Sequence, residues 1–348
     1  MEKSHARSCT LLMCINSLKP RLAYTASDHR KRQQSTGDLS LLSAYITHFD
    51  CTRHEMGKDH PECPERLGAI NDMLLTKGLL DYMSSYDAPL ATHAQLARAH
   101  SPEYVQSILN SAPEEGYFRV DPDTSMNPYT AIAALRAAGA LVQATDLVIA
   151  DGVPTAFCSV RPPGHHAERN SAMGFCFFNN VAVGILHALE HHGLQRVALI
   201  DFDVHHGNGS EDILQNDKRI LMCSIFEKGL YPFSGENSTA TNMVNVGLPS
   251  RSGSAKFREA VTMQWIPALD AFQPQLIYIS AGFDGHREDD MGNLGLVEAD
   301  YAWVTKQLMD VARSHCQGRM ISCLEGGYVL SPLARSATAH VKVLIGAD

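Results

Sequence analysis

Two aspartates and a histidine alternate directly after an apolar run. Residues 197–200 are four consecutive apolar residues, as expected of a buried strand, and Asp201, Asp203 and His205 follow at once. In an extended chain, residues two apart point to the same face, so these side chains can converge on one point. Burying two carboxylates and an imidazole without a partner would be costly. The spacing therefore predicts a metal site at the end of this strand.

Polar or glycine-rich clusters also end three other predicted strands. These clusters are Arg161-Pro-Pro-Gly-His-His166, Ala281-Gly-Phe-Asp-Gly285 and Glu325-Gly-Gly-Tyr328. In an open parallel sheet the ligand crevice lies beyond the carboxyl ends of the strands. We therefore expect all the clusters to meet in one site.

Helical and strand-like patterns alternate along the chain. Helical patterns occupy residues 64–80, 129–150, 179–192, 255–272, 296–315 and 332–344. Short apolar runs typical of strands occupy residues 155–160, 197–200, 220–225, 276–280 and 319–324. Such alternation predicts an α/β fold with a mostly parallel central sheet and helices on both faces.

Composition narrows the functional class. With 348 residues, 45% of them hydrophobic, the chain can bury a large core. A net charge of -9 disfavours a nucleic-acid-binding surface. The longest apolar runs are interrupted before the ~20 residues that a membrane-spanning helix needs, so no membrane span is expected. The nine cysteines are scattered without a CxxC pair, which indicates reduced thiols and a cytoplasmic protein.

The first 40 residues differ from the rest. They mix seven Lys and Arg with Ser, Thr and Gln and show no helical or strand period. We expect a disordered extension; a targeting peptide is the alternative, which Glu2, Asp28 and the lack of a clean apolar segment disfavour. Residues 41–348 contain no linker or repeat and are predicted to form a single domain that contains the site.

Six motifs resemble the histone deacetylase family, in the expected order from about residue 48 to the C-terminus. Glu325 and Asn208 make the chain similar to the class II branch and its bacterial relatives. The motifs are His60-Pro-Glu-Cys-Pro-Glu-Arg-Leu67, Arg161-Pro-Pro-Gly-His-His-Ala-Glu168, Gly174-Phe-Cys-Phe-Phe-Asn-Asn180, Asp201-Phe-Asp-Val-His-His-Gly-Asn-Gly209, Ser280-Ala-Gly-Phe-Asp284 and Leu324-Glu-Gly-Gly-Tyr328.

The resemblance implies an arginase/deacetylase-like fold and a zinc ion held by Asp203, His205 and Asp284. Three protein ligands and a water form the usual catalytic zinc site. Two carboxylates and one imidazole are a hard ligand set, so Fe(II) could replace zinc. Ser224 and the backbone around Asp201, Asp203 and His205 match a potassium site of the family.

The same resemblance makes His165 and His166 a proton-transfer pair, with Asp201 orienting His165 and Asn208 orienting His166. A carboxylate raises the pKa of a histidine more than a neutral amide does. We therefore assign His166 as the general base and His165 as the more cationic partner, although the opposite assignment stays open. The remaining histidines singled out are interpreted as ordinary core or surface groups: His187, His191, His192, His206 and His315.

Tyr328 is the expected donor to the oxyanion of the transition state, because its phenol would polarise the scissile carbonyl opposite the metal. Gly174 and Phe175 resemble one wall of an acyl-lysine tunnel, and Tyr231 is the candidate for the facing aromatic residue. Together these residues predict a zinc-dependent amidohydrolase that removes acyl groups from amines.

Two other functional classes share part of this pattern. A manganese ureohydrolase has the same fold but needs a further aspartate two residues after Asp284, where this chain has His286. A catalytically inactive acyl-binding protein would have no use for Tyr328 and the histidine pair.

The substrate prediction depends on the tunnel mouth. Polyamine-selective members of the family carry a glutamate seven residues after the metal-binding aspartate, and this chain has Met291 there. An apolar methionine offers no charge to a distant ammonium, so acyl-lysine is favoured over an acetylated polyamine. Neighbouring acids are interpreted as solvated surface groups, although any could supply the missing carboxylate: Glu114, Glu115, Glu288, Asp289 and Asp290. The oligomeric state is not predicted.

Overall fold

The computed structural model describes residues 42–347, and the expectation of a disordered extension at residues 1–40 lies outside the described residues. An eight-stranded, wholly parallel sheet has the strand order β2-β1-β5-β10-β9-β6-β7-β8. β3 and β4 pair as a separate antiparallel ribbon. The strands are β1 Ser43–Thr47, β2 Met83–Asp87, β3 Phe118–Arg119, β4 Ser125–Met126, β5 Thr155–Cys158, β6 Val197–Asp201, β7 Ile220–Glu227, β8 Met243–Leu248, β9 Leu276–Ala281 and β10 Met320–Leu324.

Ten α-helices connect the strands of the described residues. They are α1 Glu65–Thr76, α2 His93–Leu96, α3 Pro102–Ser111, α4 Thr130–Ile149, α5 Asn180–Glu190, α6 Asn208–Leu214, α7 Ser254–Ala260, α8 Ile266–Phe272, α9 Glu298–His315 and α10 Leu330–Leu344. The helical pattern predicted for 255–272 is split by a π-helical turn, Val261–Trp265. Pro267 in the next turn lacks the N–H that a regular helix would use, which accounts for the interruption.

All five predicted strands are present, but β1, β2 and β8 were not predicted. β2 and β8 are the two edges of the sheet and are only partly buried, so their sequences lack a continuous apolar run. β1 is an interior strand of five residues whose polar ends obscure its apolar centre. The sheet is therefore wider than its strongest sequence signals indicate.

Helix α4 is the longest helix of the described residues and is rich in alanine. Its length and its mean hydropathy of 1.5 would suffice to cross a membrane, but 67% of that window is buried inside the domain. Such burial is typical of the core helix of a globular protein.

The four strands that end in polar clusters are neighbours at the centre of the sheet. Their order is β5-β10-β9-β6, and Asp201 at the end of β6 lies opposite Ser280 of β9. Because parallel strands carry their carboxyl ends to one edge, the four clusters lie side by side. The predicted convergence of these loops is therefore present.

A buried ionic network fastens the segment before α1 to the loop after β5. Glu62 is fully buried between Arg161 and Arg66, whose Nη2 and Nη1 atoms lie 2.5 Å and 2.9 Å from the carboxylate oxygens. Burial acts to raise the pKa of Glu62, but the charges of Arg161 and Arg66, together with hydrogen bonds from His54 and Arg161, hold that pKa well below its usual range. Arg66 also donates to the carbonyl of Gly327 at 2.6 Å.

We expect Glu62→Ala to lower the free energy of unfolding by about 3–5 kcal/mol, because it leaves two buried guanidinium groups unpaired. Urea unfolding followed by circular dichroism measures the change. Asp310→Ala is the matched control: its ion pair with Arg313 is exposed, and its loss should change stability by no more than about 0.5 kcal/mol. Similar effects of the two variants would show that the buried network is not a major source of stability.

Candidate active site

Three predicted metal ligands converge beyond β6 and β9. His205 Nδ1 lies 3.0 Å from Asp203 Oδ1 and 3.1 Å from Asp284 Oδ2. The ligand atoms of the three residues all lie within 4.8 Å of one another. Asp203 and Asp284 are fully buried, and His205 is 5% exposed. The geometry is that of a compact three-ligand site.

The donor set fits a divalent cation. Burial and the neighbouring charge of Asp203 raise the pKa of Asp284 to about 7, so the pair repels in the absence of a positive partner. The backbone N–H of Val204 donates to Asp284 Oδ1, and that of Gly326 donates to Asp203 Oδ2, both at 2.9 Å. A Cβ at Gly326 would collide with the Asp284 carboxylate, so glycine permits this approach.

His165 lies between two buried carboxylates. Its Nδ1 is 3.0 Å from Asp201 Oδ2, and its Nε2 is 3.7 Å from Asp203 Oδ2. Burial acts to lower the pKa of His165, but Asp203 and Asp201 outweigh it and raise the pKa to about 10. With a carboxylate facing each ring nitrogen, His165 is an imidazolium cation.

His166 has a different partner. Asn208 Nδ2 donates to Glu168 Oε1 at 2.8 Å, so its Oδ1 is the atom that accepts from His166 Nδ1 at 2.7 Å. That hydrogen bond places the proton of a neutral ring on Nδ1 and leaves a lone pair on Nε2. Burial, followed by the charges of His165 and His205, holds the pKa of His166 well below its usual value.

Glu325 supports the turn that carries both histidines. Its Oε2 accepts from the backbone N–H of Gly164 at 2.7 Å and of His165 at 3.2 Å. Burial raises the pKa of Glu325 to about 7. In the sequence, Glu325 contributes to the resemblance to the class II branch. In the structure, its contacts fix the position of the histidine pair.

A cavity of about 160 Å³ leads to this cluster. It is lined by all four residues predicted to contact substrate, and also by Asp123, which was not predicted. The lining residues are Asp123, His166, Gly174, Phe175, His205, Tyr231, Met291 and Tyr328.

Aromatic rings form much of the cavity wall. The Tyr231 ring lies 5.2 Å from that of His166, and the rings of Phe175 and Tyr328 are 5.8 Å apart in an edge-to-face arrangement. Gly174 adopts a positive φ of 56°, and a Cβ there would lie 2.5 Å from His166 Cδ2. Glycine at this position lets the wall approach the histidine closely.

Tyr328 is held from both sides by residues that sequence reasoning missed. Asp289 Oδ2 accepts from the backbone N–H of Tyr328 at 2.7 Å and of Val329 at 3.0 Å, and the guanidinium of Arg66 lies 5.1 Å from the Tyr328 ring centre. Burial raises the pKa of the Tyr328 phenol well above its usual value, so the hydroxyl keeps its proton.

The interpretation of Asp289 as a solvated surface acid is wrong. Asp289 is only 6% exposed, because its carboxylate points inward and accepts from backbone N–H groups. Glu288, by contrast, pairs with Arg335 at the surface at 2.9 Å, and Asp290 is exposed. Adjacent acids in a loop have no periodicity from which this difference could have been predicted.

Two minor predictions concern other ions. Ser224 lies opposite Asp201 in the sheet, with its Oγ 3.1 Å from His206 Nδ1, and potassium binding there stays a prediction. Within residues 42–347, Asp203, His205 and Asp284 form a group that could hold a metal ion, and no further carboxylate belongs to it. His286 is buried and its Nδ1 accepts from Glu288 N at 3.1 Å, so it does not replace the second aspartate of a binuclear site.

Comparison with known proteins identifies the family. The profile described as the histone deacetylase domain matches residues 60–344. Type-2 histone deacetylase 2 of Dictyostelium discoideum is 34% identical over 86% of this chain, which spans 20% of that relative. A probable deacetylase of Archaeoglobus fulgidus is 32% identical over 83% of this chain and 82% of its own length.

The crystal structure of the HDA15 HD domain has a TM-score of 0.81 and 34% identity, and the match covers 87% of this chain and 88% of that one. This likeness confirms the predicted arginase/deacetylase-like α/β fold. The family match likewise confirms the predicted enzyme class, a hydrolase of amide bonds. On the strength of the profile, the relatives and the fold, the chain belongs to the histone deacetylase family.

Proposed function

We propose that the protein is a zinc-dependent deacetylase that hydrolyses N-acyl amides of the acetyl-lysine type. The observation that carries the proposal is the convergence of Asp203, His205 and Asp284 with His166 and Tyr328 at one cavity. A metal site, a neutral imidazole and a protonated phenol can supply the three roles in amide hydrolysis by water: activating the water, transferring its proton and stabilising the oxyanion.

Asp203, His205 and Asp284 would hold zinc or Fe(II). Such an ion would act as a Lewis acid and lower the pKa of a water to roughly 7. His166 accepts the proton of the attacking water at Nε2, because its Nδ1 proton is committed to Asn208. It then delivers that proton to the leaving amine nitrogen. His165, held as a cation by Asp201, stabilises negative charge that develops beside it.

Tyr328 donates its phenolic hydrogen to the carbonyl oxygen as negative charge develops there. The Tyr328 ring lies in the cavity wall. Asp289 accepts from the backbone N–H of Tyr328, and the guanidinium of Arg66 lies over the face of its ring. Such restraint places the donor before the reaction, so less reorganisation is needed in the transition state.

The cavity wall favours an extended aliphatic chain. Phe175 and Tyr231 present aromatic surface along it, and Met291 adds an apolar group. The methylene groups of an acylated lysine match this lining. Asp123 is the acidic residue of the cavity lining. Its carboxylate could accept a hydrogen bond from a peptide N–H or attract an ammonium group. Binding of an acetylated polyamine would therefore depend on Asp123.

The first prediction of this proposal concerns the metal. A chelator should abolish deacetylase activity and Zn(II) should restore it, with Fe(II) tested in parallel. Asp203→Ala, His205→Ala and Asp284→Ala should each lose the ion of this site, because a three-ligand site reduced to two binds metal poorly. Elemental analysis measures the loss, and Asp290→Ala is the exposed acidic control. Full metal retention in all three ligand variants would rule the site out.

The second prediction concerns the oxyanion donor. Tyr328→Phe should lower kcat on the order of 10²-fold with a smaller change in KM, because the phenol acts in the transition state. Asp289→Ala should lower kcat through the same residue. Adding Asp289→Ala to Tyr328→Phe should therefore cost little more than Tyr328→Phe alone. Multiplicative losses in the double variant would instead mean that Asp289 acts independently of Tyr328.

The third prediction concerns substrate. An acetyl-lysine peptide should have a higher kcat/KM than N8-acetylspermidine, and Met291→Glu should shift the ratio toward the polyamine by adding a charge at the cavity. Asp123→Asn tests whether the existing acid serves the polyamine. A tenfold or greater preference of the unmodified enzyme for the polyamine, about 1.4 kcal/mol in transition-state binding, would overturn the lysine assignment.

A further inference from the structure

A second group of metal-ligating side chains lies where α4 and α5 end. Asp146 is in the last turn of α4, His187 is in the last turn of α5, and His191 and His192 follow that helix. One ligand atom from each of the four residues lies within 4.8 Å of the others. None of the four lines the catalytic cavity.

Two of the three histidines already lie within hydrogen-bond distance of one Asp146 carboxylate oxygen, and the third packs against their rings. Asp146 Oδ1 lies 2.8 Å from His187 Nε2 and 2.7 Å from His192 Nε2. The ring of His191 stacks on that of His187 at 4.7 Å and meets that of His192 at 4.9 Å. Ligands around a tetrahedral zinc ion are separated by roughly 3.3 Å, a spacing that follows from its bond lengths. Small side-chain rotations would therefore admit an ion.

Solvent reaches the group from one side. The Asp146 side chain is 46% exposed and that of His192 is 13% exposed, whereas that of His187 is 4% exposed. His191 is exposed beside them. Burial acts to raise the pKa of Asp146, but hydrogen bonds from His187 and His192 lower it, so the carboxylate is ionised and can bind a cation.

Arg98 determines which of the histidines is free to bind. Its Nη1 lies 2.7 Å from His187 Nδ1, and a guanidinium group can only donate. His187 Nδ1 therefore carries the lone pair, and Nε2 carries the proton that is donated to Asp146. A metal-binding histidine needs the reverse arrangement, with its second nitrogen donating to an acceptor.

We propose that Asp146, His191 and His192 form a second metal site, for a divalent transition ion that favours imidazole ligands, such as Zn²⁺, Ni²⁺ or Cu²⁺. His187 remains outside the ligand set and holds the Asp146 carboxylate in place through its Nε2 proton. Because the ligands come from the ends of two helices, the bound ion joins α4 to α5 and stabilises the folded protein.

The test compares zinc stoichiometry in the unmodified protein and in variants, by equilibrium dialysis with Zn²⁺ alone. The unmodified protein should hold one equivalent more than His192→Ala. His315→Ala is the matched control, since His315 pairs with a single carboxylate, Asp270, at 3.0 Å and should lose nothing. The difference of one equivalent does not depend on whether the catalytic centre binds zinc. Equal stoichiometry in the unmodified protein and His192→Ala would overturn the proposal.

Arg98→Gln tests the role assigned to His187. A glutamine carbonyl can accept a proton from His187 Nδ1, which frees Nε2 to become a fourth ligand, so zinc should bind this site tenfold or more tightly. Thermal unfolding supplies an independent measurement: added zinc should raise the Tm of Arg98→Gln more than that of the unmodified protein, and that of His192→Ala least. Weaker zinc binding by Arg98→Gln would contradict the assignment of the proton.

Discussion

The repulsion between buried carboxylates at the centre of the sheet constrains the positions of the loops that follow the central strands. Asp201, Asp203, Asp284 and Glu325 are all fully buried at neighbouring strand ends. Their charge is compensated by the imidazolium of His165 and by backbone N–H groups, and a divalent cation held by Asp203, His205 and Asp284 would complete the balance. Since each carboxylate depends on partners from other loops, no loop can move without exposing an unpaired charge.

A second layer transmits this constraint to the cavity wall. Glu62 is clamped between two arginines, and Arg66 reaches from that clamp to the carbonyl of Gly327 and the ring of Tyr328. Asp289 fixes the same loop from the opposite side by accepting the Tyr328 N–H. The proposed oxyanion donor is thus part of the ionic network that holds the loops together, and its position depends on residues that never contact substrate.

The sequence predicted the centre of the fold better than its periphery. β6 and β9 are buried on both faces, so their apolar runs and the polar residues that end them are local signals. The edge strands β2 and β8 lack such runs. The predicted site residues that follow strands lie at or beside the cavity, whereas the role of Asp289 depends on contacts between distant segments. No spacing rule connects that loop to Tyr328.

Histidine illustrates why residue type alone does not specify chemistry. His165, His166 and His187 are all buried imidazoles, and they differ in the group that faces Nδ1. A carboxylate makes His165 a cation, whereas an amide oxygen leaves His166 neutral with a free lone pair on Nε2.

At His187 the facing group is a guanidinium, which only donates, so Nε2 keeps its proton and serves Asp146 as a hydrogen-bond donor. In each case the group that faces Nδ1 helps to set which ring nitrogens carry protons, and that arrangement determines whether the ring can stabilise charge, accept a proton or hold a carboxylate in place. The partner of Nδ1 is therefore the structural feature from which the function of each histidine follows.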